Sequence, residues 1–147
     1  MEFLDTLNAD QRRAATFGIG DEAADAAGPL LIIAGAGSGK TTTLASRVAN
    51  LIVNGTDPGR ILLLTFSRRA ALEMTDRVRR IVHAAADASR PGALRHVSWS
   101  GTFHAIGARL LRSYARQIGL SPDFSIHDRG DSEDLLSLVR HDLGLSE

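Results

Sequence analysis

The amino-acid sequence predicts an α/β fold, a parallel sheet flanked by helices. Three observations carry this. Two short uninterrupted apolar runs, "LLIIA" (30–34) and "RILLLTF" (60–66), have the character of strands buried on both faces. Each is followed by a segment whose apolar residues recur at helical spacing. A glycine-studded turn, "GAGSG" (35–39), joins the first run to its helix. Alternation of buried strands with helices implies a parallel sheet.

The elements follow in order. "LNADQRRAATF" holds a helix start, with Asn8 as N-cap and Gln11 three residues later in a capping box. "GIGDEAADAAGP" is a polar, small-residue loop. "LLIIA" is the first buried parallel strand. From Lys40 to Asn54, the residues Leu44, Val48, Leu51 and Ile52 share a helical face, and Gly55 is suited to end the helix. "TDPG" is a turn, and "RILLLTF" is the second buried strand. Residues 68–86 read as a long helix with Ala71, Met74, Val78, Ile81 and Val82 on one face. "ASRPGALRH" is a loop and "VSWS" a short strand. A helix over 103–118 ends at Gly119. "DFSIHD" is extended, and an amphipathic helix over 131–143 follows.

The 147 residues are about one domain's length. No apolar run approaches the roughly 20 residues of a membrane span. The acidic start "MEFLDTLNAD" lacks the basic flank and apolar core of a secretion signal. There is no cysteine, hence no disulfide and no thiolate metal site. A cytoplasmic protein with no membrane partner is expected. Net charge is zero but unevenly spread. Residues 1–59 carry −3, residues 60–116 carry +8, with eleven arginines against Glu73, Asp76 and Asp87, and residues 117–147 carry −5. A basic middle segment attracts phosphates; a solvated helix face enriched in arginine by base composition is the alternative.

The stretch "AGAGSGKT" (34–41) places a glycine-rich turn between a strand and a helix, the context a phosphate-binding loop requires. Glycines let backbone amides approach phosphate oxygens closely, and a helix N-terminus adds unpaired N–H groups and partial positive charge. Lys40 would direct its charge to the β- and γ-phosphates, and Thr41 would offer a hydroxyl to Mg²⁺. Lys40 is the only lysine in the chain. A compact point charge suits this position better than a forked guanidinium. The strict pattern begins with glycine, and here Ala34 fills that slot.

Around this loop, "LNADQRRAA", "AGAGSGKT", "ILLLTFSRRAALEMTDRV" and "SGTFHAIGARLLR" occur in an order that resembles the Q motif and motifs I, Ia and Ib of the UvrD/Rep-like superfamily-one DNA helicases. The resemblance implies a P-loop NTPase (RecA-like) fold, here incomplete, with ATP and Mg²⁺ as cofactors and single-stranded DNA and duplex junctions as partners. It implies nucleotide contacts at Gln11, Ala36, Gly37, Ser38, Gly39, Lys40, Thr41 and Thr42, with Lys40 and Thr41 catalytic and Thr41 the metal ligand. Gln11 would read the adenine edge, helix capping being its other reading. Many relatives place an arginine where Thr42 stands. The resemblance implies DNA contacts at Thr65, Phe66, Ser67, Arg68, Arg69, Thr102, Phe103 and His104. Arg68 and Arg69 replace an asparagine–lysine pair usual in the family. Phe66 is either a base-stacking ring or a core residue at a strand end, and His104 is either DNA-facing or structural.

No apolar run ends in the Asp-Glu pair that would hold Mg²⁺ and activate water. The expectation is therefore an N-terminal fragment: residues 1–118 as the start of a first RecA-like domain, and 119–147 as the start of an inserted helical subdomain. By resemblance the whole protein would translocate 3′ to 5′, and a second RecA-like domain of the same protein would complete the γ-phosphate site. The fragment would bind nucleotide with little hydrolysis, and its uncovered apolar surface would favour self-association. The competing readings are a self-contained nucleotide kinase or small ATPase, and a non-catalytic nucleic-acid-binding module using the basic segment.

Overall fold

The computed structural model of the chain describes residues 2–19, 28–85 and 97–145. It is α/β, with a small parallel sheet of two strands and helices around it. By internal packing the chain divides into two units, residues 1–106 and 107–147.

The first unit begins with helix α1 (Glu2–Asp5) and helix α2 (Ala9–Thr16). The Asn8 carboxamide accepts from the Gln11 amide at 2.9 Å, and Gln11 Oε1 accepts from the Asn8 amide at 3.1 Å, the expected capping box. Helix α3 (Lys40–Val53) follows the glycine turn. It ends in a Schellman motif: Gly55, at φ +102°, donates to the Ile52 carbonyl, and Thr56 donates to that of Leu51. A 3₁₀ turn at Pro58–Arg60, capped by Asp57, leads into strand β1 (Leu62–Thr65). Helix α4 (Arg68–Ala85) buries Ala71, Met74, Val78 and Val82, one side of a 3.6-residue repeat. Strand β2 (Trp99–Thr102) pairs in parallel with β1, Leu62 opposite Trp99 and Thr65 opposite Thr102. It starts two residues later than "VSWS". Helix α5 (Phe103–Tyr114) continues directly from β2.

The core is a seam between α3 and α4 closed by the sheet. Ala45, Val48, Ala49 and Ile52 of α3 meet Met74, Val78 and Val82 of α4, with Leu63 and Val97 beneath. The hydroxyls of Thr75 and Ser100 lie 2.8 Å apart and tie α4 to β2. On the other side of α3, the buried Asn50 donates to the Ala15 carbonyl at 3.2 Å and fixes α2. Parallel pairing of two strands through a helix is the βαβ logic read from the sequence.

Two expectations are corrected. The run 30–34 is not a buried strand: it pairs with no other strand among the described residues, and Leu31 and Ile33 are 81% and 89% exposed. A run apolar on both faces is buried only when strands flank it and layers cover both sides, and the one described ladder is β1–β2. For the same reason "RILLLTF" is only partly enclosed: Leu63 is buried, whereas Leu62 is exposed at the ladder's start. The loop predicted over 88–96 lies mostly outside the described residues.

In the second unit, α5 passes into a 3₁₀ turn (Ala115–Ile118) that stops at Gly119, at φ +76°, as the sequence predicts. The Arg112 guanidinium lies over the Phe124 ring at 5.2 Å. Helix α6 (Arg129–Asp142) starts at an Asp128–Asp131 capping box, but it buries no residue, and Leu135, Leu136, Leu138 and Val139 are exposed. Its apolar spacing marks a face without marking what covers it. No helix among the described residues is long and apolar enough to cross a membrane.

Met74 sits at the centre of the seam, so Met74→Ala is expected to lower unfolding free energy in urea by about 2–4 kcal/mol. Leu136→Ala, on the uncovered face of α6, is expected to change it by less than about 0.5 kcal/mol.

Candidate functional site

Residues 35–39 turn sharply into α3. Gly37 and Gly39 take φ of +74° and +84°, the left-handed region that side chains with a Cβ rarely occupy. Ser38 closes the turn, its hydroxyl donating to the Gly35 carbonyl at 2.8 Å. Gly39 caps α3, and the first bond of the helix runs from the Thr43 amide to the Gly39 carbonyl at 2.9 Å. The amides of the first turn therefore have no partner within the helix. Residues 28–38 are exposed throughout, so the turn stands open to solvent.

Lys40 begins the helix with its ammonium folded back on the turn, donating to the carbonyl of Ala34 at 2.9 Å and to that of Gly35. Those bonds hold the positive charge at the mouth of the loop. Thr41 is exposed beside it. No cluster of three or more His, Asp or Glu stands ready for a metal among the described residues. Ala36 lies at the tip of the turn.

Gln11 reaches this loop across 27 residues: its Nε2 donates to the Ser38 carbonyl at 3.0 Å while its Oε1 serves the capping box. Both ends of the carboxamide are thus engaged, and the two readings of Gln11 meet in one side chain. Arg47 secures the same helix from the other end, donating to the carbonyls of Ala14 at 3.1 Å and Phe17 at 2.6 Å beneath the Phe17 ring. Burial holds its pKa below the ordinary arginine value. Thr42, half-buried, accepts from Nη1 of Arg77 at 2.6 Å. Arg47 and Arg77 escape a sequence reading centred on the loop. The available signal is position: Arg77 follows Met74 by three residues and precedes Val78, beside the buried stripe of α4.

A second cluster forms at the carboxyl ends of the paired strands. Because Thr65 is in register with Thr102, the dipeptides Thr65-Phe66 and Thr102-Phe103 leave the sheet side by side. The rings of Phe66 and Phe103 lie 5.4 Å apart, tilted by 46°. Phe66 is 94% exposed and Phe103 50%, so neither is a core residue. The hydroxyls nearby serve the backbone. Thr65 donates to the Ser67 carbonyl, Ser67 Oγ accepts from the Ala70 amide, and Thr102 Oγ1 accepts from the Ala105 amide. Arg69 pairs with Glu73 at 2.9 Å, and this hydrogen bond with its charge raises the Arg69 pKa. Arg68 has no carboxylate partner among the described residues, and His104 is exposed.

Fold and site together define an α/β domain with an open glycine loop at the head of one helix and paired exposed aromatic rings at the sheet's carboxyl end. Residues 7–146 match the UvrD/REP helicase N-terminal domain, and the chain belongs to that family. It is 43% identical over 144 residues to the ATP-dependent DNA helicase UvrD1 of Mycobacterium leprae, covering 97% of this chain and 16% of that protein. It is similar to DNA helicase II of Haemophilus influenzae, at 39% over 98% of this chain and 18% of the relative. It also resembles the ATP-dependent DNA helicase PcrA of Leuconostoc citreum, at 41% over 80% of this chain and 15% of the relative. The chain thus spans less than a fifth of the length of these relatives.

A Cβ added at Gly39 would stand 2.7 Å from Gln11 Nε2, on a backbone already left-handed. Gly39→Ala is therefore expected to cost roughly 1–2 kcal/mol in urea unfolding. An unchanged midpoint would contradict the turn geometry.

Proposed function

We propose that this chain is the ATP-binding N-terminal portion of an ATP-dependent DNA helicase, built on a P-loop NTPase (RecA-like) fold. The observation that carries the reading is the open glycine loop with Lys40 at its mouth, in a chain whose relatives are named ATP-dependent DNA helicases. In this reading the first-turn amides of α3 hold phosphate oxygens, Lys40 leaves its carbonyls for the β- and γ-phosphates, and Thr41 meets Mg²⁺. Gln11 exchanges its bond to Ser38 for the adenine edge, since a carboxamide can donate and accept at once. Phe66 and Phe103 form a stacking platform for bases of single-stranded DNA, with Arg68 beside them for phosphate.

The whole protein, in the same reading, is a cytoplasmic helicase that moves 3′ to 5′ and opens duplex junctions. Residues 1–118 belong to its first RecA-like domain and 119–147 to an inserted subdomain, and a second RecA-like domain completes the γ-phosphate site. The chain alone binds nucleotide and hydrolyses it little. The exposed runs at 30–34 and on α6 are where further chain packs, or where copies of this one associate.

Lys40→Ala is expected to abolish ATP binding by the chain in a calorimetric titration; undiminished affinity would overturn the assignment of the loop. Replacing Phe66 by alanine is expected to weaken binding of an oligothymidine by about 1–3 kcal/mol, with a smaller effect at Phe103. Equal affinity in both variants would remove the aromatic platform from the reading.

A further inference from the structure

Helix α2 is held by α3 and its glycine turn at both ends. The last carbonyls of a helix find no partner within it, and at the end of α2 the donors come from α3. Arg47 Nη1 donates to the carbonyls of Ala14 at 3.1 Å and Phe17 at 2.6 Å, and Asn50 donates to that of Ala15 at 3.2 Å. A cation there also suits the negative end of the helix dipole. The Arg47 guanidinium lies over the Phe17 ring, 5.9 Å from its centroid. At the start of α2, Gln11 Nε2 donates to the Ser38 carbonyl at 3.0 Å.

These two ends are not equally strong. The Gln11 bond is exposed, so water replaces it at small net cost. The Ala14 bond is part-buried and the Ala15 bond is buried. Helix α2 has eight residues and buries only Ala15, too little to fix its own place. Gln11, Ala14 and Ala15 are three and four positions apart and therefore share a face. Gln11 precedes Ala14 by less than one helical turn, so a grip on the Ala14 carbonyl is a grip on Gln11. The fit there is close: a Cβ on Gly39 would meet Gln11 Nε2 at 2.7 Å.

We propose that Arg47 is a positioning residue for nucleotide recognition, which acts by holding the end of α2 so that the Gln11 carboxamide stays at the glycine loop. This rests on the reading given above, in which the loop takes the phosphates and Gln11 the adenine edge. Arg47 itself touches no nucleotide. Its loss is felt at the base and not at the phosphate chain.

The test is titration of the 147-residue chain with Mg²⁺-ATP and with Mg²⁺-tripolyphosphate, which offers the phosphates without a base. Arg47→Met is expected to weaken ATP about tenfold and to leave tripolyphosphate unchanged, and Arg47→Lys to recover part of the loss. In a Gln11→Ala background, Arg47→Met is expected to weaken ATP by less than about twofold further, because the side chain it positions is gone. A merely structural role predicts no such dependence on Gln11. If Arg47→Met does not fold, Arg47→Gln, which keeps a donor for one carbonyl, takes its place in each comparison. This inference alone is overturned if Gln11→Ala weakens ATP while Arg47→Met does not. It is also overturned if Arg47→Met weakens tripolyphosphate equally, or if its full effect persists without Gln11. If Gln11→Ala leaves ATP affinity unchanged, the reading of Gln11 fails and this inference with it.

Discussion

The close approach of α3 and α4 is the contact from which the rest of the first unit is built. Ala45 and Ala49 are fully buried, and their small side chains let the two helices meet while Val48 and Ile52 fill the space against Met74, Val78 and Val82. Close packing of this kind resists displacement, because any shift opens voids or forces overlaps. Both candidate clusters are referenced to it. The glycine turn sits at the head of α3, and the residues Thr65 to Ser67 sit at the head of α4. Arg77 crosses between the two helices one residue beyond Thr41. A displacement along the seam would alter both ends at once.

The glycine turn satisfies its own polar groups at the head of α3. Its positive end is satisfied internally, by Lys40 on two carbonyls of its own loop, and its outer carbonyl by Gln11. Each of these bonds is exposed, so water can replace them at small net cost. Gln11 is therefore both a cap of α2 and a clasp on the loop. Arg47 and Asn50 hold the remainder of α2 so that this clasp keeps its position.

Apolar surface remains where neighbouring layers are missing from the described residues. Leu31 and Ile33 lie on the extended run that leads into the turn, and four large aliphatic side chains of α6 face outward in the second unit. Contiguous exposure of this kind marks interaction surfaces in soluble proteins. The matched segment makes up 15–18% of the length of the UvrD1, DNA helicase II and PcrA relatives.

Local signals were the most legible in the sequence. The capping box at Asn8 and Gln11, the Schellman stop at Gly55, the left-handed Gly119 and the buried stripe of α4 each depend on residues within a few positions, and each is present. The order of four short motifs likewise identified the family, which the match over residues 7–146 bears out. What required tertiary structure was everything that depends on distant partners. Burial of "LLIIA" needs flanking strands, which apolar character alone does not supply. The pairing of Phe66 with Phe103 comes from the parallel register of β1 and β2, which brings residues 37 positions apart to one edge. The placement of Arg77 on Thr42 comes from the crossing of two helices, and no periodicity within either helix encodes it. Backbone hydrogen bonding and steric preference act over a few residues and can be read along the chain, whereas packing acts across space and only the folded chain decides it.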